Sequence, residues 1–436
     1  MSIDLHRPVA HLRPPRNWIN DPNGLVFHDG YYHVCYQYNP FGARHANMHW
    51  GHFRSPDLLS WEALPLALTP TPGGEDADGC FSGNAVSDGD RLIAFYSANR
   101  QDRWSQPVTT ATSYDGGHTF RARGDLLIPE VPEGFTMYRD PYVWRDGDGW
   151  RMLVGAALSD GRAAALLYES PDLETWSYRG PFHASESRAV REMLTGEGWE
   201  CPQFLPAGSG RGALIVSAWD DHDGPRCVVA MVGDVHGDTF EPGPPALLDY
   251  GPDCYAPALL RGPGDRWLLW GWSWEARDEV WSDEDGWAGV LTIPREITVV
   301  DGEVFQRPAE EVLALRGEQL ELGEVPRSFD LEATGEGSLQ LVTGVDEYLE
   351  IRLAAGEVVV DRDHASLDSR ARGGSYRMPC PSGELRVVVD RSIAEIFTSA
   401  GQVLTVRFYP VGDSPWRLEA RGFSVDAWEL QPLKVS

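Results

Sequence analysis

A chain of 436 residues is too long for one small core, so two domains are expected. Its 37 basic and 66 acidic residues leave a formal charge of −29, which excludes nucleic-acid backbones and anionic membrane surfaces as partners and suits an uncharged substrate. With 42% apolar and 11% aromatic residues it is not a disordered chain.

Met1 to Arg16 contains no apolar run of the length a signal peptide needs, and no later stretch could span a bilayer, so a cytoplasmic location is expected. The six cysteines are scattered without a C-x-x-C pair, which predicts buried free thiols rather than a zinc cage or disulfide framework.

The first informative stretch is Trp18-Ile19-Asn20-Asp21-Pro22-Asn23-Gly24. Alone, Asp-Pro-Asn-Gly is turn chemistry, since proline sets the corner and Asn and Gly accept the left-handed conformation. Here large apolar residues flank it, so Asp21 is expected at the mouth of a buried strand.

Up to about residue 300 the chain reads as short strands separated by polar turns, among them Tyr31–Tyr38, Arg91–Ser97, Trp150–Ala157, Ala163–Glu169, Gly212–Ala218 and Arg266–Trp272. Ser55-Pro-Asp57-Leu-Leu-Ser-Trp61 returns as Ser170-Pro-Asp172-Leu-Glu-Thr-Trp176, with looser echoes around Asp115 and Asp234. These aspartates recur about every 60 residues, the length of one four-stranded unit, which predicts a five-bladed β-propeller. Arg307–Arg316 predicts a short linking helix with proline in its first turn. Beyond it, Ser328–Ala333, Tyr348–Ala354, Glu384–Asp390, Ile393–Thr398 and Val403–Tyr409 predict an antiparallel β-sandwich. The expected division is 1–306 propeller, 307–317 linker and 318–436 sandwich, all-β throughout.

Two more carboxylates stand out. Asp140, in Tyr138-Arg139-Asp140-Pro141, would be kept ionised by the neighbouring arginine if buried. Glu200, in Trp199-Glu200-Cys201-Pro202, is wedged between apolar groups, and desolvation should raise its pKa toward that of a proton donor. One ionised and one protonated carboxylate are what cleavage at an anomeric carbon requires, with the two groups about 5–5.5 Å apart in a retaining enzyme. Trp272 and Trp287 are expected as rim contacts for a sugar. His45, His49 and His52 fit no metal-ligand spacing, Ser82 lacks a nucleophile elbow, and the acidic stretch Glu275 to Asp285 reads as a solvated face.

The three acidic stretches, in this order, resemble the signature motifs of glycoside hydrolase family 32, the β-fructofuranosidase (invertase) family. The resemblance continues in Tyr36–Pro40, His49–His52, Phe81-Ser82-Gly83, Asp253–Pro257, Gly286–Glu296 and Asp390–Phe397. It implies Asp21 as nucleophile, Glu200 as acid/base and Asp140 as transition-state stabiliser. It also places Asn20, Gln37, Trp50, Phe81, Ser82 and Arg139 around a fructosyl unit, with no cofactor and no metal. Asn84 stands where many members have serine. The expected activity is release of terminal β-D-fructofuranosyl units from sucrose or short fructo-oligosaccharides through a fructosyl-aspartate. The alternatives with related chemistry are a fructosyltransferase or a levan or inulin exo-hydrolase, and a non-catalytic fructan-binding propeller is the alternative of another kind. A small-molecule or oligosaccharide substrate is the expected partner, and the sequence does not fix the oligomeric state.

Overall fold

A computed structural model describes residues 4–186, 195–412 and 414–436. The architecture is all-β, a propeller followed by a sandwich-like assembly of strands. No helix among the described residues is long and apolar enough to cross a membrane.

The chain up to Pro308 lays down five antiparallel sheets in succession, beginning with the strands Asn17–His28, Gly79–Asp88, Phe135–Asp146, Gly198–Gly208 and Tyr255–Arg261. Four of them have four or five strands, the size of an ordinary propeller blade. The first is enlarged to six, because Trp287–Ala288 and Lys434–Val435 add in parallel at its two edges. The first strand of every sheet packs against the first strands of the sheets before and after it, so these five strands line a common axis.

Strands caught between neighbouring sheets are covered on both faces, which is why they are continuous apolar runs rather than alternating ones. Ala163–Ser170 is buried at all but one position, whereas the outer strand Ser177–Ala184 is largely exposed. Side chains also tie the sheets together. The Asn84 amide both donates to the Val143 carbonyl and accepts from its N–H, and Gln203 accepts from the Leu259 N–H.

The expected strands are present, most with bounds shifted by a residue or two, for example Gly149–Leu158 and Ala163–Ser170, but the strand expected at Ser328–Ala333 runs on to Gly344. Three of the four aspartates of the repeat make the same turn. Asp57, Asp115 and Asp172 each bond a serine two residues earlier and receive backbone N–H groups that follow. Asp234 does not belong with them, since it lies inside the strand Gly224–His236 beside Arg211.

The predicted linking helix is a 3-10 helix, Glu310–Leu315, and Arg307 and Pro308 instead end a strand paired with Arg295–Glu296. Six residues are too few to build an α-helix against the extended chain that resumes at Arg316. It is no free linker either, because Val312 and Leu315 are buried with Ala10, Leu12, Trp61 and Trp270.

In the C-terminal part, the long strands Ser328–Gly344 and Trp416–Leu430 pass from one layer to the other. The first half of Ser328–Gly344 pairs with Glu384–Asp390 and the second half with Glu347–Ala354. The corner falls at Gly335 to Gly337, where a side chain on Gly337 would come within 1.8 Å of the Arg421 carbonyl. Glycine there is what permits one strand to serve both layers.

Candidate active site

Each of the five axis-lining strands carries the same irregularity near its start, where two residues face one on the next strand. The pairs are Asn20–Asp21, Phe81–Ser82, Asp140–Pro141, Cys201–Pro202 and Ala256–Pro257. Such a bulge interrupts the ladder, so proline, which has no N–H to donate, is accommodated inside a sheet. Asp140, Cys201 and Ala256 take positive φ values of 61°, 46° and 44°. A left-handed conformation costs a non-glycine residue about 1–2 kcal/mol, so the surrounding ladder imposes it.

The bulges bring equivalent positions of neighbouring sheets into contact. Arg139, Glu200 and Tyr255 each stand just before their bulge, and they meet in a row. Arg139 Nη1 lies 3.0 Å from Glu200 Oε1, and the Tyr255 hydroxyl lies 2.9 Å from Glu200 Oε2. Within the bulges, the Cys201 N–H donates to Asp140 Oδ2 at 3.0 Å, and the Asp140 N–H donates to Ser97 Oγ at 2.7 Å. The Cys201 sulfur sits 3.6 Å from Asp21 Oδ2 and 3.7 Å from Asp140 Oδ2, so acids 119 residues apart share one thiol as neighbour.

Asp21 ends a directed chain of donors. Trp18 Nε1 donates to Asn20 Oδ1, Asn20 Nδ2 to Gln37 Oε1 and Asp21 Oδ1, Gln37 Nε2 to Ser82 Oγ, and Ser82 Oγ to Asp21 Oδ2. Every bond points toward the carboxylate, an arrangement that favours its ionised form. Burial pushes the Asp21 pKa above the ordinary value, opposed by the Ser82 and Asn20 donors. For Glu200, burial outweighs the nearby Arg139 guanidinium, and with the Asp140 and Asp21 charges it pushes the pKa up to about 7. That value lets Glu200 carry a proton at neutral pH, as a general acid must.

The other expected site residues divide. Phe81 lies beneath the Arg139 guanidinium, 5.5 Å from it, and Trp272 stands edge-on to Trp18 with ring centres 5.6 Å apart. Gln37 and Ser82 are almost completely buried and direct their bonds to each other and to Asp21. Trp50 is no sugar contact here. It is 0% exposed and lies behind Phe81, its indole N–H donating to the Phe81 carbonyl. Trp287 is not on the rim but buried beneath the Arg277 guanidinium, with its indole N–H on Asp4. The three histidines go to separate partners: His45 contacts Trp18 and Phe81, His49 bonds the Asn47 carbonyl, and His52 bonds His33.

The residues that sequence reasoning left without a role are Cys201, Tyr255 and Ser97. A signal was available. Pro22, Gly83, Pro141, Pro202 and Pro257 recur roughly every 60 residues, each inside or just after a bulge.

Two open concavities lie beside Trp18 and Phe81, aromatic neighbours of the acid cluster. One, of about 400 Å³, is lined by Trp18, Trp272, Trp274 and Glu275 together with Arg370 and Arg372 of the C-terminal part, and the other, of about 570 Å³, by Phe41, His45, His49 and Phe81. A larger one, of about 1010 Å³, lies at the opposite end of the axis-lining strands, around Phe27, Trp144 and Arg261, and the three acids line none of these three concavities.

Comparison with known proteins agrees with this geometry. The glycosyl hydrolases family 32 N-terminal domain matches residues 11–308, and the family's C-terminal domain matches residues 303–429. The chain belongs to glycosyl hydrolase family 32. It is therefore a glycosidase. Raffinose invertase of Escherichia coli is 33% identical over 440 residues, covering 93% of this chain and 90% of that protein. Sucrose-6-phosphate hydrolase of Escherichia coli is 32% identical over 445 residues, covering 92% and 89%. A solved family 32 β-fructofuranosidase of Bombyx mori superimposes with a TM-score of 0.85 at 26% identity, covering 99% of this chain and 95% of that one. The family match takes in all five bulges and the three acids that they gather.

Proposed function

We propose that this family 32 enzyme is a retaining β-fructofuranosidase that releases the terminal fructosyl unit of sucrose and short fructo-oligosaccharides. The observation that carries the reading is the unequal treatment of two acids in one cluster: Asp21 receives a converging set of donors, while Glu200 is held near neutrality.

Asp21 attacks the anomeric carbon and forms a fructosyl-enzyme. Glu200 protonates the departing oxygen, then takes a proton from the incoming water. Asp140, fixed by Arg139 and the Cys201 N–H, stabilises the positive charge that develops on the sugar. Asn20 and Arg139 hold the furanose hydroxyls, with Phe81 as the apolar wall beneath the ring and Trp272 at the rim, outside the fructosyl unit. Gln37 and Ser82 act on the sugar through Asp21, and Trp50 through Phe81. No step in this scheme calls for a metal or a cofactor.

We also read the six-stranded sheet as a fifth blade, whose two added strands close the ring. The support is the circular packing of the five first strands. The expected boundary at 306 moves two residues, to a propeller ending at Pro308, followed by the packed 3-10 segment and the sandwich strands from Arg316. The relatives extend the reading to substrate, since curated ones are named for raffinose and sucrose 6-phosphate, and a Bombyx mori enzyme variant has been solved with sucrose.

The test is product analysis of the purified protein on sucrose, 1-kestose, inulin and levan. Free fructose released with retained anomeric configuration is expected. A protein that liberates no fructose from any of the four would overturn the reading.

A further inference from the structure

We propose that the C-terminal sandwich is a working part of the site: through Glu275 it holds the aromatic wall that grips the leaving group. The inference rests on the fructosidase reading.

Glu275 was expected on a solvated face, yet its side chain is only 8% exposed and has four donors from three parts of the chain. Oε1 accepts from the Gly289 N–H at 2.7 Å and lies 3.2 Å from Arg407 Nη2. Oε2 accepts from Arg277 Nε at 2.8 Å and from the Tyr409 hydroxyl. Arg407 and Tyr409 belong to the sandwich, and both reach into the propeller.

What they hold is the wall itself. Trp272 and Trp274 immediately precede Glu275, with ring centres 5.6 Å apart, and Trp274 stacks on Tyr255 at 5.3 Å. Arg407 Nη1 also donates to the Ser273 carbonyl between the two tryptophans. On the other flank, the Arg407 N–H and Arg362 Nη1 converge on Asp253 Oδ2, two residues before Tyr255. Gly289 completes the clamp. A side chain there would come within 2.1 Å of the Ile19 carbonyl, so only glycine lets this segment touch both Glu275 and the strand bearing Asp21.

The concavity that this wall borders lies beside Trp18, which donates to Asn20, the neighbour of Asp21. Indole faces with scattered polar groups suit an uncharged sugar ring. The occupant is the leaving saccharide, and the sandwich tunes its affinity without touching the bond being broken. Other contacts join the two domains without reaching the wall, such as Thr405 Oγ1 on Asp249, and these serve as the control.

The test compares Tyr409→Phe and Glu275→Gln with wild type on 1-kestose and on methyl β-D-fructofuranoside, whose leaving group is too small to reach the wall. Each variant is expected to raise KM for kestose about tenfold, the size expected for loss of one bond to a charged group, with kcat held within about twofold and methyl-fructoside kinetics unchanged. Thr405→Val should lower Tm and leave the kestose-to-methyl ratio alone. Should Tyr409→Phe fail to fold, Glu275→Gln reads the same ratio. A wild type active on both substrates, with an unaltered ratio in the variants that fold, overturns the clamp alone. A wild type inactive on both refutes the fructosidase reading instead.

Discussion

Two clusters of buried charge, built from the same residue types, behave in opposite ways. Where the domains meet, Asp249, Glu275, Asp390 and Glu395 face His11, Arg277, Arg295 and Arg407, with side chains 0 to 8% exposed. Burial alone would raise Glu275 and Asp390, but the Arg407 and Arg277 charges hold Glu275 at about 2, and the His11 bond and charge hold Asp390 at about 2. His11 has a carboxylate at each ring nitrogen, 2.9 and 3.0 Å away, a geometry that only the doubly protonated ring satisfies with two donors. At the site, Asp21, Asp140 and Glu200 face the single Arg139. With one cation to oppose it, burial, helped by the Asp140 and Asp21 charges, leaves the Glu200 pKa at about 7. Matched charge makes a joint, and unmatched charge makes a proton donor.

That contrast can be broken in four places. Asp21→Asn should cut turnover about ten-thousandfold while Tm stays within about 2 °C of wild type or rises, because the change relieves repulsion. A fall of many degrees would mean that the site is stabilising after all. Arg295→Met should do the reverse, costing about 3–5 kcal/mol in denaturant unfolding, since it leaves Asp249 buried without its cation and Glu395 with His11 alone.

The pH profile sharpens the picture further. Glu200 must be protonated to act first, and its pKa is raised to about 7, so kcat/KM should fall about tenfold per unit above that pH. A basic limb that begins instead two units higher would assign the proton to another group. The smallest effect lies at the joint. Glu275 titrates lower when folded than unfolded, so its stabilisation is complete above the ordinary value of 4.5 and is lost as pH falls from there through about 2. Glu275→Gln should flatten the slope of unfolding free energy against pH across that window.

Much of this was legible in the sequence. Strands buried on both faces announce themselves as apolar runs, and Asp21, Asp140 and Glu200 sit in contexts that a surface acid rarely has. Other features were hidden because partners far along the chain decide them. Glu275 looked solvated among Asp278, Glu279 and Asp283, since its hydroxyl partner Tyr409 lies 134 residues later. Trp50 passed for a sugar contact because the resemblance gives its place in a motif and not its burial, and its indole N–H is turned to the Phe81 carbonyl. The helix expected at 307–316 carried the right starting signals, but the neighbouring strand claimed its first residues.

The bulges give the axis five equivalent seats, one per sheet, three of which bear or adjoin the acids. Phe81–Ser82 and Ala256–Pro257 fill the other two without a carboxylate. An exchange at one seat is felt at the next where they are bonded, as the Cys201 N–H is to Asp140. Ala256, whose methyl group forms no such bond, leaves its seat the least entangled of the five, so variation there would diversify the axis with the smallest disturbance to the acids.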